Sequence, residues 1–321
     1  MKLLVFACVA CIVFICGLQS ATATDYPRKN ISVIVPYGAG GGTDTQARLF
    51  LSFVEKTIGK PVIIVNKPGA RGEIGNTAIF NAKPEGYMLG VLAYPDSTAL
   101  EVYKEVKYNA SEFIYIASYT KSPVVLIAKK DGPLKDLEGF IAYAKKNPGK
   151  ITVSMAADSH TLATVFLQNE AGIKVTPVFY KSGSKALNGL LGGHVDAAMI
   201  ATQFGVVAES QGFPVIGVAG DERVPKLPNS PTFKEKGYNL KVMQSRILVA
   251  PKGTPEDVVK VLTEACNKAA EEKELRAKIE NLGEVYHFLS EDALVSYVND
   301  TNAQVTKAVK ENKGNFLRKK K

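Results

Sequence analysis

The sequence has no tryptophan, only three histidines, and only one cysteine beyond its first 16 residues. The histidines lie far apart in the chain, without the short spacings that metal ligands usually show. The late cysteine, Cys266, can form neither an internal disulfide bond nor a cysteine-based metal site. It falls within an apolar pattern of helical spacing, so we expect a small core residue. The sequence therefore predicts no metal site and no cofactor.

An excess of acidic residues is also absent. The chain has 40 Lys and Arg against 31 Asp and Glu, which gives a net charge of +9. The basic residues are scattered, without a patch interleaved with aromatic residues and without a zinc-finger spacing. This pattern predicts no nucleic acid partner, whereas the positive charge favours small anions or acidic surfaces.

Long apolar runs are missing from the chain except at its N-terminus, where residues 3–18 are apolar throughout. A membrane-spanning helix needs about 20 such residues, and here the small-x-small pattern Ala21-Thr22-Ala23 follows instead. We therefore predict a secretory signal peptide over residues 1–23 and export to a bacterial periplasm. Lipid attachment at Cys16 is the alternative, which is disfavoured because Ile15 is not a small residue.

Short apolar runs alternate with helical stretches in the rest of the chain, which is typical of an α/β fold with mainly parallel sheets. Strands are predicted at residues 31–35, 62–65, 88–93, 151–154, 175–179, 196–200 and 215–218, and helices at 43–58, 74–81, 161–171, 185–191, 203–211, 255–282 and 291–309. Two further strands, 123–128 and 247–250, stand apart from these series. If they are crossover segments, residues 24–124 plus 248–321 form a first lobe and residues 125–247 a second. A cleft then lies between the strand ends of the two lobes.

Glycine is concentrated directly after the first predicted strand, in Pro36-Tyr37-Gly38-Ala39-Gly40-Gly41-Gly42-Thr43-Asp44. Glycines allow a ligand to approach the backbone closely, and the free amides at the start of a helix attract an anion. No Gly-Lys-Ser/Thr follows, and Thr43 replaces the third glycine of the dinucleotide pattern, so a carboxylate is favoured over a nucleotide. The predicted contacts are Tyr37, Gly38, Ala39, Gly40, Gly41, Gly42 and Thr43. Asp44 and Arg48, four residues apart, are interpreted as a mainly structural pair.

Polar groups also follow other predicted strands. A second glycine-rich turn, residues 66–76, contributes Gly72 as a candidate. In the second lobe the candidates are Ser154, Ser159, His160, Tyr180, Ser182 and Thr202. Hydroxyl groups and the free amides at the starts of helices are expected together at the ends of adjacent strands. This arrangement predicts a surface that binds a polar ligand rather than a catalytic site.

Catalytic motifs are weak in this sequence. Ser182-Gly183-Ser184-Lys185 matches a serine-x-x-lysine pattern, but it overlaps Lys181-Ser182-Gly183, and penicillin-binding enzymes need those two elements far apart. A Gly-x-Ser-x-Gly elbow does not occur. We predict no catalytic residue and no enzyme; a triad assembled from distant segments is the alternative.

Several further motifs occur in one order along the chain. They are Asn66-Lys67-Pro68-Gly69-Ala70, Pro84-Glu85-Gly86-Tyr87, Asn147-Pro148-Gly149-Lys150, Tyr180-Lys181-Ser182-Gly183, Gly192-Gly193-His194-Val195-Asp196, Leu227-Pro228-Asn229-Ser230-Pro231 and Ala250-Pro251-Lys252-Gly253-Thr254-Pro255. Together with the loop at residues 36–44, they make residues 26–309 resemble the extracytoplasmic solute receptors of the tripartite tricarboxylate transporter family, often called Bug proteins.

This resemblance implies a two-lobed periplasmic binding fold of the type II-like, Venus flytrap kind, with two crossover strands. It implies a receptor, expected to be a monomer, that closes on a small carboxylate and delivers it to the membrane permease subunits of the transporter. Residues 37–43 and Gly72 would contact the ligand from the first lobe, and the six candidates of the second lobe from the other side. A receptor of the same fold that feeds a signalling sensor is the alternative.

The chain departs from the family pattern at the return crossover. Where the family usually carries a tryptophan and then a glycine, this chain has Gln244-Ser245-Arg246-Ile247. Arg71 and Glu73 also bring charge to a turn where small residues are common. Arg246 is a candidate ligand residue: it either faces the cleft and pairs with a second anionic group, or it lies at the junction of the lobes.

Overall fold

The computed structural model describes residues 25–316. The predicted signal peptide and the basic C-terminal residues 317–321 lie outside the described residues. Among the helices that are described, none is long and apolar enough to cross a membrane.

A parallel sheet forms from the first part of the chain, because helices long enough to cross over separate its apolar runs. Its elements are β1 (Ile31–Val35), α1 (Gly42–Ile58), β2 (Val62–Asn66), α2 (Glu73–Phe80), β3 (Met88–Tyr94) and α3 (Asp96–Tyr103). Strand β1 pairs in parallel with β2 on one side and β3 on the other. These strands agree closely with the sequence prediction, which did not include α3.

The middle of the chain builds a second parallel sheet. Its elements are α4 (Leu137–Lys146), β5 (Thr152–Met155), α5 (Asp158–Ala171), β6 (Thr176–Phe179), α6 (Gly183–Leu191), β7 (Ala197–Ala201), α7 (Thr202–Ser210) and β8 (Val215–Val218). Strand β5 pairs in parallel with β6 and β7. Helix α4, absent from the prediction, buries Leu137, Phe140, Ile141 and Ala144 along one face.

Two strands connect these sheets, β4 (Ile114–Ala128) and the return strand β9 (Met243–Ala250). Residues 114–123 of β4 pair antiparallel with β9, which also pairs with β3, whereas residues 124–128 pair with β7 and residues 125–127 with β8. Both strands start earlier than predicted, because polar residues such as Thr120 and Gln244 interrupt their apolar runs, although these residues are buried. We call the parts built on the two sheets the first and second lobes; the predicted residue boundaries between them stay a prediction.

The chain returns to the first lobe for its last elements, which are α8 (Glu256–Ala270), α9 (Lys273–Asn281), β10 (Tyr286–Ser290), α10 (Glu291–Glu311) and α11 (Lys313–Phe316). One helix was predicted over residues 255–282, but it is broken at the acidic pair Glu271 and Glu272. Strand β10 pairs antiparallel with β4. Helix α11 contacts α5, so the C-terminal end reaches the second lobe.

Both lobes have an apolar core, and the second core also includes first-lobe residues such as Leu100 and Val309. In the first lobe the ring of Phe50 stacks on Tyr119 with ring centres 4.2 Å apart. In the second, Leu126 of β4 packs in one cluster with Met155 and Phe140. Cys266 is fully buried in the first core, as the sequence predicted, and burial raises the pKa of its thiol.

Candidate functional site

A cavity of about 840 Å³ lies between the lobes, beside strand β9 and at the ends of β1, β5, β6 and β7. The predicted contact residues that line it are Tyr37, Gly38, Gly41, Gly42, Thr43, Gly72, His160, Tyr180, Ser182 and Arg246. Residues outside the prediction that also line it include Arg71, Asp96, Tyr103, Phe179 and Gln244. The tertiary structure therefore brings candidates from both lobes together around one space.

The first glycine-rich loop presents the start of helix α1 to this cavity. Gly41 is the N-cap residue of this helix. A serine or aspartate at this position would accept hydrogen bonds from the first amides of the helix, but glycine has no side chain to do so. Its own N–H donates to the carbonyl of Gly38 at 3.2 Å, which closes the turn. The amides of Gly42 and Thr43 therefore lack an intrahelical partner at the positive end of the helix dipole. This arrangement of backbone suits an anion.

Asp44 holds the loop in this conformation. Its buried carboxylate accepts the N–H of Gly40 at 2.8 Å, Nε of Arg48 at 3.0 Å and Nδ2 of Asn66 at 2.8 Å. Burial raises the pKa of Asp44, but these hydrogen bonds outweigh it and hold the pKa below its ordinary value. The predicted Asp44–Arg48 pair is present, and the amide of Gly40 is turned toward Asp44.

Replacing Asp44 with alanine should destabilise the protein by roughly 2–4 kcal/mol, because the Gly40 and Asn66 donors lose a charged acceptor. The free energy of unfolding in urea measures this loss. Arg48→Ala is the matched control, because Arg48 is half exposed and its ion pair should contribute at most about 1 kcal/mol. Equal losses in the two variants would mean that Asp44 contributes only through Arg48.

The second glycine-rich turn brings Arg71 to the cavity in an uncommon backbone conformation. Ala70 and Arg71 have positive φ angles of 47° and 60°, which few residues other than glycine adopt. Gly72 follows with φ 96°, and a Cβ at this position would lie 3.1 Å from the Tyr37 hydroxyl oxygen. Strained backbone of this kind is concentrated at functional sites.

Arg71 bridges the two lobes. Its Nη1 donates to Asp158 Oδ1 at 2.6 Å and to the Tyr103 hydroxyl at 2.6 Å, and its guanidinium carbon lies 5.0 Å from the ring centre of Phe179. Burial raises the pKa of Asp158 to about 7, although the charge of Arg71 acts in the opposite direction. Arg71 belongs to the first lobe and Asp158 begins helix α5 of the second, so this ion pair requires the lobes to be close.

His160, also on α5, lines the cavity as a neutral ring. Its Nδ1 accepts the backbone N–H of Ala156 at 3.1 Å, and its Nε2 lies 3.4 Å from the Gln244 amide. Burial, and then the charge of Arg246, lower the pKa of His160 to about 3. A histidine with such a pKa is a weak base, and it is poorly suited to general base catalysis at neutral pH.

Some predicted contact residues do not line this cavity, namely Ala39, Gly40, Ser154, Ser159 and Thr202. The hydroxyls of Ser154 and Thr202 donate to backbone carbonyls, to Ala186 at 2.9 Å and to Pro123. The Ser159 hydroxyl accepts from Gln244, and Ala39 and Gly40 are exposed. A fully buried hydroxyl needs a hydrogen-bond partner, and for Ser154 and Thr202 neighbouring backbone provides it before any ligand arrives.

Arg246 lies in the wall of the cavity, and it is only 5% exposed. Its Nη1 donates to the carbonyl of Ser245 at 3.2 Å, whereas its Nε has no hydrogen-bond partner within residues 25–316. The charge of Arg246 also acts on two buried carboxyl groups, Asp96 and Glu284, whose pKa values are raised by burial and lowered in part by this charge. The site thus contains a buried cation with an unused donor.

The family model for the tripartite tricarboxylate transporter family receptor, TctC, matches residues 47–313. The chain belongs to this family. A relative from Cupriavidus necator, the UPF0065 protein in the gbd 5' region, is 29% identical to this TctC-family receptor over 284 residues, 88% of this chain and 86% of that protein.

Two solved structures extend this similarity to the fold of the receptor. The periplasmic binding protein BugD is 31% identical with a TM-score of 0.80, over 89% of this chain and 98% of that one. MatC from Rhodopseudomonas palustris, with bound malate, is 28% identical with a TM-score of 0.79, over 88% of this chain and 100% of that one. The predicted two-lobed fold is confirmed, and these relatives are solute receptors rather than enzymes.

In this TctC-family receptor, sequence reasoning missed Asp96 and Gln244 and noted Arg71 only for its unusual charge. Gln244 precedes Arg246 by two positions, which places both on one face of a strand, but the predicted strand began only at residue 247. Asp96 had no local signal, because its partner, the N–H of Ser159 at 2.6 Å, is 63 residues away. Within residues 25–316 no group of three or more His, Cys, Asp or Glu is arranged to hold a metal ion.

Proposed function

We propose that this TctC-family receptor captures a small carboxylate in the cavity between its lobes, in the periplasm, and delivers it to the permease subunits of a tripartite tricarboxylate transporter. The observation that carries this proposal is the buried cationic side chain of Arg246, which lines the cavity and is only 5% exposed. A buried charge is unfavourable unless an opposite charge and hydrogen bonds compensate it. A ligand carboxylate in the cavity would provide both.

The uncapped start of helix α1 supports the same ligand class. The amides of Gly42 and Thr43 are free of intrahelical bonds, and an anion is the group that such amides bind best. Because they are neutral donors, they hold a carboxylate without a full ion pair, which keeps release reversible. MatC, which is 28% identical, has malate bound, and malate is a small dicarboxylate.

Closure of the lobes is the step by which the receptor captures its ligand. The Arg71–Asp158 ion pair and the hydrogen bond from the Ser159 N–H to Asp96 join the lobes at the cavity. A ligand between the lobes adds contacts that exist only in the closed form, and it shifts the equilibrium by its difference in affinity for the two forms. The permease then recognises the closed, loaded monomer.

Thermal unfolding of the mature protein against a panel of mono-, di- and tricarboxylates, aromatic acids and amino acids tests the ligand class. An acid at about a hundred times its Kd should stabilise the folded protein by about 2.7 kcal/mol, which raises the Tm by several degrees. Neutral amides of the same acids are the control and should have no effect. Absence of a shift with every acid, for a protein shown by mass spectrometry to be free of ligand, would contradict the proposal.

Delivery to a permease is tested separately in cells. Deletion of the gene should abolish uptake of the acid that binds, and the wild-type gene should restore it. A variant that no longer binds the acid in vitro should not restore uptake. Normal uptake in the deletion strain would mean that the bound acid is sensed or stored rather than delivered.

A further inference from the structure

The carboxylate of Asp158 is buried between the lobes. It belongs to the first residue of helix α5 in the second lobe, and its side chain is only 1% exposed. It accepts hydrogen bonds from Arg71 Nη1 at 2.6 Å and from the Tyr103 hydroxyl at 3.0 Å, and both donors belong to the first lobe. When the lobes separate, the carboxylate loses these donors and water replaces them. Closure of the lobes therefore moves a charge from water into a buried site.

This burial is unfavourable for the charged form of Asp158. It raises the pKa of the carboxyl group to about 7, although the charge of Arg71 acts in the opposite direction, and the charge of Asp96 adds to the rise. Asp96 is buried at the start of α3 in the first lobe, where it accepts the backbone N–H of Ser159 at 2.6 Å. Closure thus brings two buried carboxyl groups together at the starts of α3 and α5. Because a buried charge needs an opposite charge beside it, the closed form requires a cation there.

Arg71 provides a cation at this place and contacts both lobes. Its Nη1 also donates to the Tyr103 hydroxyl at 2.6 Å, and that hydroxyl donates in turn to Asp158. Its guanidinium carbon lies 5.0 Å from the ring centre of Phe179, which ends β6 of the second lobe. The backbone φ of Arg71 is 60°, a conformation that glycine adopts at lower cost. An arginine kept in this conformation points to a function of its side chain.

We propose that Arg71 is a positioning residue for lobe closure: it compensates the charge of Asp158 as the lobes come together, and it thereby gives the receptor a populated closed form before a ligand binds. The contact joins protein to protein, so its strength does not depend on which ligand enters the cavity. A ligand that binds the closed form then loses less affinity to the closing step, because apparent affinity scales with the fraction of receptor in the competent form. This inference rests on the proposed function only in taking closure as the step of capture.

Pulsed electron paramagnetic resonance on the ligand-free mature protein, at about pH 8 so that the Asp158 carboxyl group is above its pKa, measures the distance between the lobes. Spin labels are attached at the exposed positions Lys67→Cys, in the second glycine-rich turn, and Asn188→Cys, on α6, while the buried Cys266 stays unlabelled. The receptor with Arg71 should show the shorter distance that the structure gives for these positions and a longer one. In Arg71→Gly, the ratio of the short to the long distance should fall about tenfold or more, because the buried carboxylate loses its opposite charge.

A second change separates charge compensation from a general loss of structure. Asp158→Asn removes the charge that closure buries, and its amide oxygen still accepts from the Tyr103 hydroxyl. When this change is combined with Arg71→Gly, most of the lost closed form should therefore return, whereas a purely structural role of Arg71 would give additive losses. Glu73→Gln is the matched control, because Glu73 pairs with Lys104 within the first lobe and joins no residue of the second. This control should keep the wild-type ratio.

Three outcomes would overturn this role of Arg71. They are a wild type without the shorter distance, an unchanged ratio in Arg71→Gly, and a double variant whose loss is the sum of the two single losses. The distances are measured without a ligand, so they test Arg71 whether or not any acid binds. Failure of every acid in the thermal unfolding panel would overturn the proposed function instead, and it would leave the measured distances unchanged.

Discussion

Replacing Arg246 with methionine should weaken the binding of a dicarboxylate by about a hundredfold, because the ligand loses charge-assisted hydrogen bonds worth roughly 3 kcal/mol. Methionine fills much of the same volume without the charge. Isothermal titration with the acid that gives the largest thermal shift measures the loss. The Tm of the ligand-free protein should change by only a few degrees, because removal of an incompletely paired buried charge offsets the lost contacts.

Arg246→Lys is the matched control for this experiment. It keeps the positive charge but lacks the planar guanidinium, so it should bind the acid with an affinity between those of the wild type and Arg246→Met. Wild-type affinity in Arg246→Met would assign Arg246 to the junction of the lobes, where its charge acts on Asp96 and Glu284 but not on a ligand.

Asp158→Asn and His160→Gln should change the pH dependence of stability in opposite directions. The pKa of His160 is lowered to about 3, so between this value and 6.5 the unfolded chain binds a proton that the folded protein does not. Its contribution to stability is therefore lost as the pH falls below about 6.5.

The pKa of Asp158 is raised to about 7, so between 3.8 and 7 the folded protein binds a proton that the unfolded chain does not. That contribution is lost as the pH rises toward 7.

The free energy of unfolding, measured in urea from about pH 4.5 to pH 7.5, separates the two effects. As the pH falls, the stability of the wild type relative to His160→Gln should decrease. Its stability relative to Asp158→Asn should increase. Each change should be up to roughly 1.4 kcal/mol per pH unit. Ser245→Ala, which removes no titratable group, should differ from the wild type by a constant amount. Parallel pH profiles for both variants would show that neither group has the shifted pKa described above.

The loop after β1 was predictable because its signals are local. Glycines between an apolar strand and an amphipathic helix predict a turn that exposes the first helical amides, and this depends on few residues outside the segment. The pairing of Asp44 with Arg48 was predictable for the same reason, since residues four apart on a helix are neighbours. The beginning of β9 was not predictable, because polar residues such as Gln244 and Arg246 are not typical of a buried strand. Their place in the strand becomes clear only from the cavity beside them.

The hydroxyls at the strand ends show where local reasoning stops. The sequence correctly located Ser154 and Thr202 next to predicted strands, but the carbonyls that accept from them belong to Ala186 and Pro123, which are 32 and 79 residues away. Whether a side chain faces a ligand or a neighbouring strand depends on such distant contacts. The export signal and the lobe boundaries stay predictions.

The α/β class, the glycine-rich loop before the first long helix and the receptor family were determined by the sequence alone, because apolar periodicity, glycine-rich turns and ordered motifs are properties of contiguous residues. Only the tertiary structure decided which side chains surround the cavity between the lobes. Arg71 and Asp158 are 87 residues apart and Gln244 and His160 are 84 apart, yet each pair meets at the cavity. Burial then shifts the pKa values of Asp158 and His160, and burial is a property of the folded chain rather than of any segment.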